Sequence, residues 1–290
     1  MVYIVSSEIS MKKAFRYLLA FLLFCPYFSN AQHLWEVGAF GGISNYEGGM
    51  APDPVWKESH PAAGIFVKRV MNGYVSYSLG FNYGKISGKD SNSSYSAPRG
   101  LNFQSNIYEL STQMEFNFFN FGTKSDRDAL RISPYIFIGL SLFHFDPMGE
   151  YNGKLYDLQN LATQGQGSVA GAPPQYDLTQ VSIPIGGGVK FNLSEKFNLL
   201  ILMGYRATFT TELDDVGPGN YPDPAQLPTR NNPMNIYFAD PTNVGIPGQQ
   251  RGNPDKRDWY LFTGISLSYI IPGRMCPYPR STRHPSIFTD

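Results

Sequence analysis

Between Ile107 and Phe118 apolar and polar residues alternate one for one. Tyr108, Leu110, Thr112, Met114, Phe116 and Phe118 fall on one parity, and Glu109, Ser111, Gln113, Glu115 and Asn117 on the other. Successive side chains of a strand point to opposite faces, so a period of two predicts a β-strand between an apolar and a polar medium. Tyr108 and Phe118 close the ends of the apolar face. At a rise of ~3.3 Å per residue and a tilt of ~45° they stand roughly 23 Å apart in height, about that of the lipid-facing band of an outer-membrane barrel.

Seven more segments carry the same period: 35–41, 62–71, 74–86, 134–145, 181–191, 199–209 and 259–269. The segment 134–145 is apolar on both faces, so its orientation is open. Trp259 and Tyr269 repeat the ten-residue aromatic spacing, and with Tyr108 and Phe118 they are the expected girdle. Connections after the first, third, fifth and seventh segments are long (about 42–61, 87–105, 146–178 and 211–257), and the others are shorter. With both termini periplasmic, every long connection falls outside the cell, as in outer-membrane barrels. The expected fold is all-β: an eight-stranded antiparallel transmembrane β-barrel with long extracellular loops.

A soluble barrel of the lipocalin type is the rival. Its outer face would then be Ser76, Ser78, Gly80, Asn82 and Gly84. A soluble surface needs more charge than that, whereas small residues suit the narrow interior of eight strands.

Composition agrees with the membrane reading. Of 290 residues 16% are charged and 15% aromatic, 29 are Gly, and the formal net charge is zero. Without a basic face, nucleic acid is not an expected partner. Near the start, Met11 precedes Lys12, Lys13 and Arg16, an apolar run over 17–28, and Ser29-Asn30-Ala31. That is the layout of a signal peptide cleaved after Ala31, with residues 1–10 as an upstream extension. Phe24, bulky and directly before Cys25, argues against lipidation. No later stretch reaches 18 consecutive apolar residues, so any crossing is made by strands. The expected division is extension and signal peptide (1–31), barrel (32–271) and periplasmic C-terminal tail (272–290).

Strand parity sends Glu36, Lys68, Glu109, Glu115, Lys190, Arg206 and Asp258 into the lumen. By height they form a lower layer of Glu36, Lys68, Glu115 and Lys190 and an upper one of Glu109, Arg206 and Asp258. Unpaired charges in a narrow interior are costly, so ion pairs that plug the barrel are expected, a water-filled pore being the alternative. His144 and Asp146, with Asp214 and Asp215, are the one cluster that resembles acid–base machinery near a rim, and a turn or packing role is the plainer expectation. The two aspartates lack regular calcium-ligand spacing. Gly186-Gly187-Gly188 is followed by no helix and suits a bend or close strand contact rather than a phosphate loop. No Cys/His metal set, cofactor motif or small-molecule substrate is indicated, and no enzyme is expected. In the tail, Cys276 with Arg274, Arg280 and Arg283 is a possible partner contact, since a single thiol in an oxidising compartment is a candidate for an intermolecular disulfide.

The stretches 36–50, 101–118, 134–147 with 156–167, 178–191, 204–216 and 251–264 together resemble the PorG-like outer-membrane barrels of the type IX secretion and gliding apparatus. They include EVGAFGGISNYEGGM, LNFQSNIYELSTQMEFNF, LTQVSIPIGGGVKF and GYRATFTTELDDV, and they span nearly all of the chain after Ala31. The resemblance implies an outer-membrane component associated with a periplasmic ring of a lipoprotein and its partner protein. It implies no cofactor and no catalytic residue. The other functional class is an independent surface barrel acting through its loops, as an adhesin or protective protein.

Overall fold

The computed structural model describes residues 34–271 apart from 52, 93–96, 124–127, 168–171, 173, 228–233 and 254–255. The expected signal peptide and the tail, with Arg274, Cys276, Arg280 and Arg283, lie outside the described residues. The strands in chain order are β1 (Leu34–Glu47), β2 (His60–Val70), β3 (Val75–Lys89), β4 (Asn102–Asn117), β5 (Ile132–Phe145), β6 (Met148–Tyr151), β7 (Lys154–Asp157), β8 (Thr179–Asn192), β9 (Phe197–Thr208) and β10 (Trp259–Ile271). All but β6 and β7 form one antiparallel sheet in which β10 pairs back with β1, from Trp35↔Ile271 to Glu47↔Trp259. The chain is a closed eight-stranded barrel.

Its wall is inside out relative to a soluble protein. Ile65, Leu79, Leu110, Ile138, Ile201 and Ile265 face outward and are 46–65% exposed. Lys68, Glu109, Glu115, Lys190 and Arg206 face inward and are at most 6% exposed. A contiguous apolar belt of this kind needs a lipid covering, which excludes the lipocalin arrangement. Aromatic rings border the belt. Tyr83 pairs with Tyr108 at 5.2 Å and Tyr205 with Trp259 at 6.0 Å towards the long loops. Phe116 meets Phe118 at 5.9 Å and Phe197 meets Tyr269 at 5.5 Å towards the short turns.

The orientation of β5, open from sequence, is settled by its neighbours. Ile132, Ile136 and Ile138 point out, and Tyr135, Phe137, Phe143 and Phe145 point in. Rings this large fit because the facing positions are glycine. A Cβ at Gly186 would stand 2.7 Å from the Phe137 ring, and one at Gly204 would stand 2.5 Å from it. The triple glycine is thus a close strand contact: a Cβ at Gly188 would lie 1.9 Å from the Ile201 carbonyl oxygen.

β1 runs six residues past the 35–41 segment read from sequence, to Glu47. The loop that follows folds back on it, and Asn45 Nδ2 donates to the Val55 carbonyl (3.2 Å) and to Ser59 Oγ (2.8 Å). With both faces covered, the period-two signal vanishes there. The hairpin β6–β7 docks on β4 through Gln104↔Met148. Its turn, Asn152-Gly153, has positive φ at both residues (49° and 73°), the pair a type I′ turn requires.

The belt makes a direct test possible. Ile138→Arg, at the middle of β5, is expected to destabilise the barrel by about 2–4 kcal/mol in lipid vesicles, measured by denaturant unfolding. An equal cost in a variant with arginine at a loop-tip position would refute a lipid-facing Ile138.

Candidate functional site

Two layers of charge fill the lumen. In the lower one Glu115 Oε2 receives Lys190 Nζ at 2.6 Å and Lys68 Nζ at 2.8 Å, with Ser76 Oγ donating at 3.1 Å. Each ammonium also lies over a ring, Lys190 over Tyr135 at 4.6 Å and Lys68 over Phe66 at 5.2 Å. Glu36 sits opposite Lys68 in register but makes no contact ion pair with it. Its oxygens accept from Asn198 Nδ2 (3.0 Å) and Ser268 Oγ (2.8 Å). Two glutamates and two lysines leave this layer neutral.

In the upper layer Arg206 grips Glu109 with two bonds, Nε to Oε2 at 2.9 Å and Nη2 to Oε1 at 3.2 Å. Tyr260 donates to Oε2 at 2.8 Å and Asn82 Nδ2 to Oε1 at 2.9 Å, so the carboxylate is saturated. Between the layers lies a cavity of about 60 Å³, walled by Phe66, Ser78, Ser111 and Gln113 among others, with room for only a few waters.

Asp258, expected beside Arg206, is elsewhere. The arginine fork is already filled by Glu109 and by the Gly204 carbonyl oxygen, which accepts from Nη1 at 2.7 Å. Asp258 instead accepts from the Leu213 amide (3.0 Å) and the Gly49 amide (3.3 Å), within a cap built by the long loops. Met50, Leu101, Leu158, Leu161, Leu213, Val216 and Phe238 from these loops pack on Tyr46, Phe103, Phe145 and Tyr260 of the wall.

The polar heart of the cap was not legible in the sequence. The Tyr46 hydroxyl stands 2.6 Å from Asp214 Oδ2 and 3.0 Å from Asp258 Oδ1. It has one proton to donate, so the second of these contacts is a bond only if a carboxyl carries a proton. Asp215, in the left-handed region at φ 58°, accepts from Thr163 Oγ1, Gln166 Nε2 (3.1 Å) and the Tyr176 hydroxyl (2.7 Å). Glu212 accepts from Gln164 Nε2 at 2.9 Å. Arg251 spends its donors on carbonyl oxygens, those of Asp215 (2.7 Å), Phe238 (3.1 Å) and Ala239 (3.1 Å), which caps the short helix Met234–Ala239. Arg99 forks Asp90 (2.6 and 3.1 Å) and reaches the Arg251 and Gly49 carbonyl oxygens at 2.7 and 3.4 Å.

Burial raises the cap carboxyls. Glu212 is pushed up to about 8 by burial and by the charge of Asp215. Asp215 is pushed up to about 6 by burial, against the pull of Arg251. Asp214 and Asp258 are raised as well, each by burial first.

His144 and Asp146 do not join Asp214 and Asp215. His144 is exposed on the outer face and bonds Thr179 Oγ1 at 3.0 Å, while Asp146 accepts from the Asn106 amide (2.6 Å) and Nδ2 (3.1 Å). The two aspartates are buried inside the cap. The candidate acid–base cluster is therefore not assembled, and among the described residues no set of three or more His, Cys, Asp or Glu is placed to hold a metal ion.

Two outcomes follow from this geometry. Glu109→Gln is expected to cost about 3–5 kcal/mol in denaturant unfolding, because it leaves Arg206 buried without its partner. Adding Arg206→Met should recover most of that loss. As to pH, a carboxyl held above its unfolded value stabilises the fold fully only below that unfolded value. Its contribution disappears as pH rises through the folded one. The cap is thus tightest in mild acid and weakens from the ordinary carboxylate range up to about pH 6 for Asp215 and up to about pH 8 for Glu212. The melting temperature followed by near-UV circular dichroism should fall as pH rises from 5 to about 8, and Glu212→Gln should remove its share of that fall, which ends near pH 8.

Comparison with known proteins adds general likeness and a family. No curated protein sequence shows significant similarity to the chain. Solved structures that resemble it include Neisserial surface protein A (NspA; 8% identity, TM-score 0.39, covering 81% of this chain and 96% of that one). Ail, the attachment invasion locus protein of Yersinia pestis, is 10% identical with TM-score 0.39, covering 83% and 100%. The N-terminal barrel domain of Pseudomonas aeruginosa OprF is 12% identical with TM-score 0.34, covering 84% and 100%. Identities this low transfer no residue role. The profile of one domain family, by contrast, matches residues 12–227, most of the sequence and seven of the eight barrel strands in full. The chain belongs to that family, DUF6089, a domain of unknown function.

Proposed function

We propose that the chain is a non-enzymatic barrel of the outer membrane, with its long loops outside and both termini in the periplasm, and that it serves as a component of a type IX protein-secretion apparatus. The observation that carries this reading is the filled lumen. Two layers of paired charge enclose a cavity of about 60 Å³ beneath a packed cap, so the barrel itself offers no passage for protein. Its work then falls to its surfaces. The sequence resemblance to PorG-like barrels supplies the partners: a periplasmic ring lipoprotein and the protein bound to it, with outer-membrane lipid around the wall. The distribution of loops supports the orientation, since connections 48–59, 90–101, 146–178 and 209–258 all lie at one end and 71–74, 118–131 and 193–196 at the other.

A surface role through the loops, as adhesin or protective protein, is the second reading. It is favoured by the cap, which presents a built face rather than loose chain. Deleting residues 272–290 separates the two. Under the secretion reading, ring proteins no longer co-purify and the secretome of the strain shrinks while the barrel still reaches the membrane. An unchanged secretome in a strain lacking the whole chain would eliminate that reading and leave the loops as the working surface.

A further inference from the structure

The charged side chains of the barrel strands sort by position with one exception. Glu36, Lys68, Glu109, Glu115, Lys190 and Arg206 face the lumen, and Glu47, Lys85 and Lys89 stand at the loop end. Arg69 alone faces outward at the turn end, sharing its parity with the exposed Ile65 and Val67. In register it lies between Trp35 of β1 and Tyr77 of β3. Its guanidinium sits over the Trp35 ring at 5.8 Å, and its Nε is buried with no hydrogen-bond partner. Among the described residues no carboxylate comes within 4 Å of it.

A cation on a lipid-facing wall needs an anion, and every lumenal carboxylate is on the other side of the sheet. The level is that of the lower aromatic ring, where lipid head groups meet the hydrocarbon. A guanidinium seated over an indole keeps, at its Nη atoms, the fork that matches two phosphate oxygens. We propose that Arg69 on its Trp35 platform is a binding site for the phosphate of a membrane phospholipid in the leaflet at the turn end, the periplasmic one in the orientation proposed above. The site rests on the membrane reading of the barrel. Trp35 and Tyr77 supply the apolar flank for the glycerol and first acyl carbons, and Arg69 supplies the charge.

Native mass spectrometry of the full chain released from detergent micelles tests this, with dimyristoyl phosphatidylglycerol titrated against dimyristoyl glycerol, which has the same chains and no phosphate. The wild type is expected to hold one phosphatidylglycerol in preference to the phosphate-free lipid. Arg69→Gln should weaken that adduct about tenfold, the loss of one charge-assisted contact, and Arg69→Lys should lie between. Equal retention by wild type and Arg69→Gln would overturn the site. Displacement of the lipid by millimolar inorganic phosphate would overturn its assignment to lipid. Failure of the membrane reading has its own signature, a wild-type chain that does not insert into vesicles or shift on unheated gels, and so is not confused with loss of the site.

Discussion

Closure of the sheet between β1 and β10 is the constraint on which everything else depends. Hydrocarbon offers no water to backbone N–H and C=O groups, so a sheet in lipid must have no free edge. The register from Trp35↔Ile271 to Glu47↔Trp259 supplies that last ladder. Closing with eight strands makes the interior narrow, which is why glycines face the rings of Phe137, Phe66 and Phe262. It also isolates the inside. Any charge that strand parity sends inward must find its partner there, and the neutral lower layer and the Arg206–Glu109 pair meet that demand.

The lumen and the cap solve burial in different ways. In the lumen opposite charges meet, and at Glu109 the hydrogen-bonding capacity is filled as well. In the cap, carboxyls outnumber the cations that reach them, and Arg251 gives its donors to carbonyl oxygens instead. Burial there favours the protonated carboxyl, where lysines balance the charge below. The upper part of the molecule is accordingly sensitive to acidity.

Much of the wall was legible in the sequence, because a period of two follows directly from strand geometry wherever one face meets lipid and the other a polar lumen. All eight segments became strands, and the parity that put Glu109, Arg206, Glu115, Lys68 and Lys190 inside holds. Reading failed where both faces of a strand are covered. The upper end of β1 lies under its own loop, and β5 is apolar on both sides because the inward ring of Phe137 faces glycines on the next two strands. Asp258 was misplaced because parity gives a side and a height but not a direction beyond the strand end. The partners of Glu109 were within reach, since Asn82 and Tyr260 share the inward parity. The cap was out of reach. Tyr46 and Asp214 are 168 positions apart, and nothing local in either marks the other.

Arg99 joins three loops through contacts with Asp90, the Arg251 carbonyl and the Gly49 carbonyl. Loops bound in this way cannot be exchanged one at a time, since replacing any of them strips acceptors from the same guanidinium. The Asn152-Gly153 turn is different: a Cβ at Gly153 would meet nothing within 4 Å, and the hairpin is held by the residues on either side of that tip. For insertion of a foreign peptide, that tip is the natural graft point. The roots of the loops are better treated as one indivisible part.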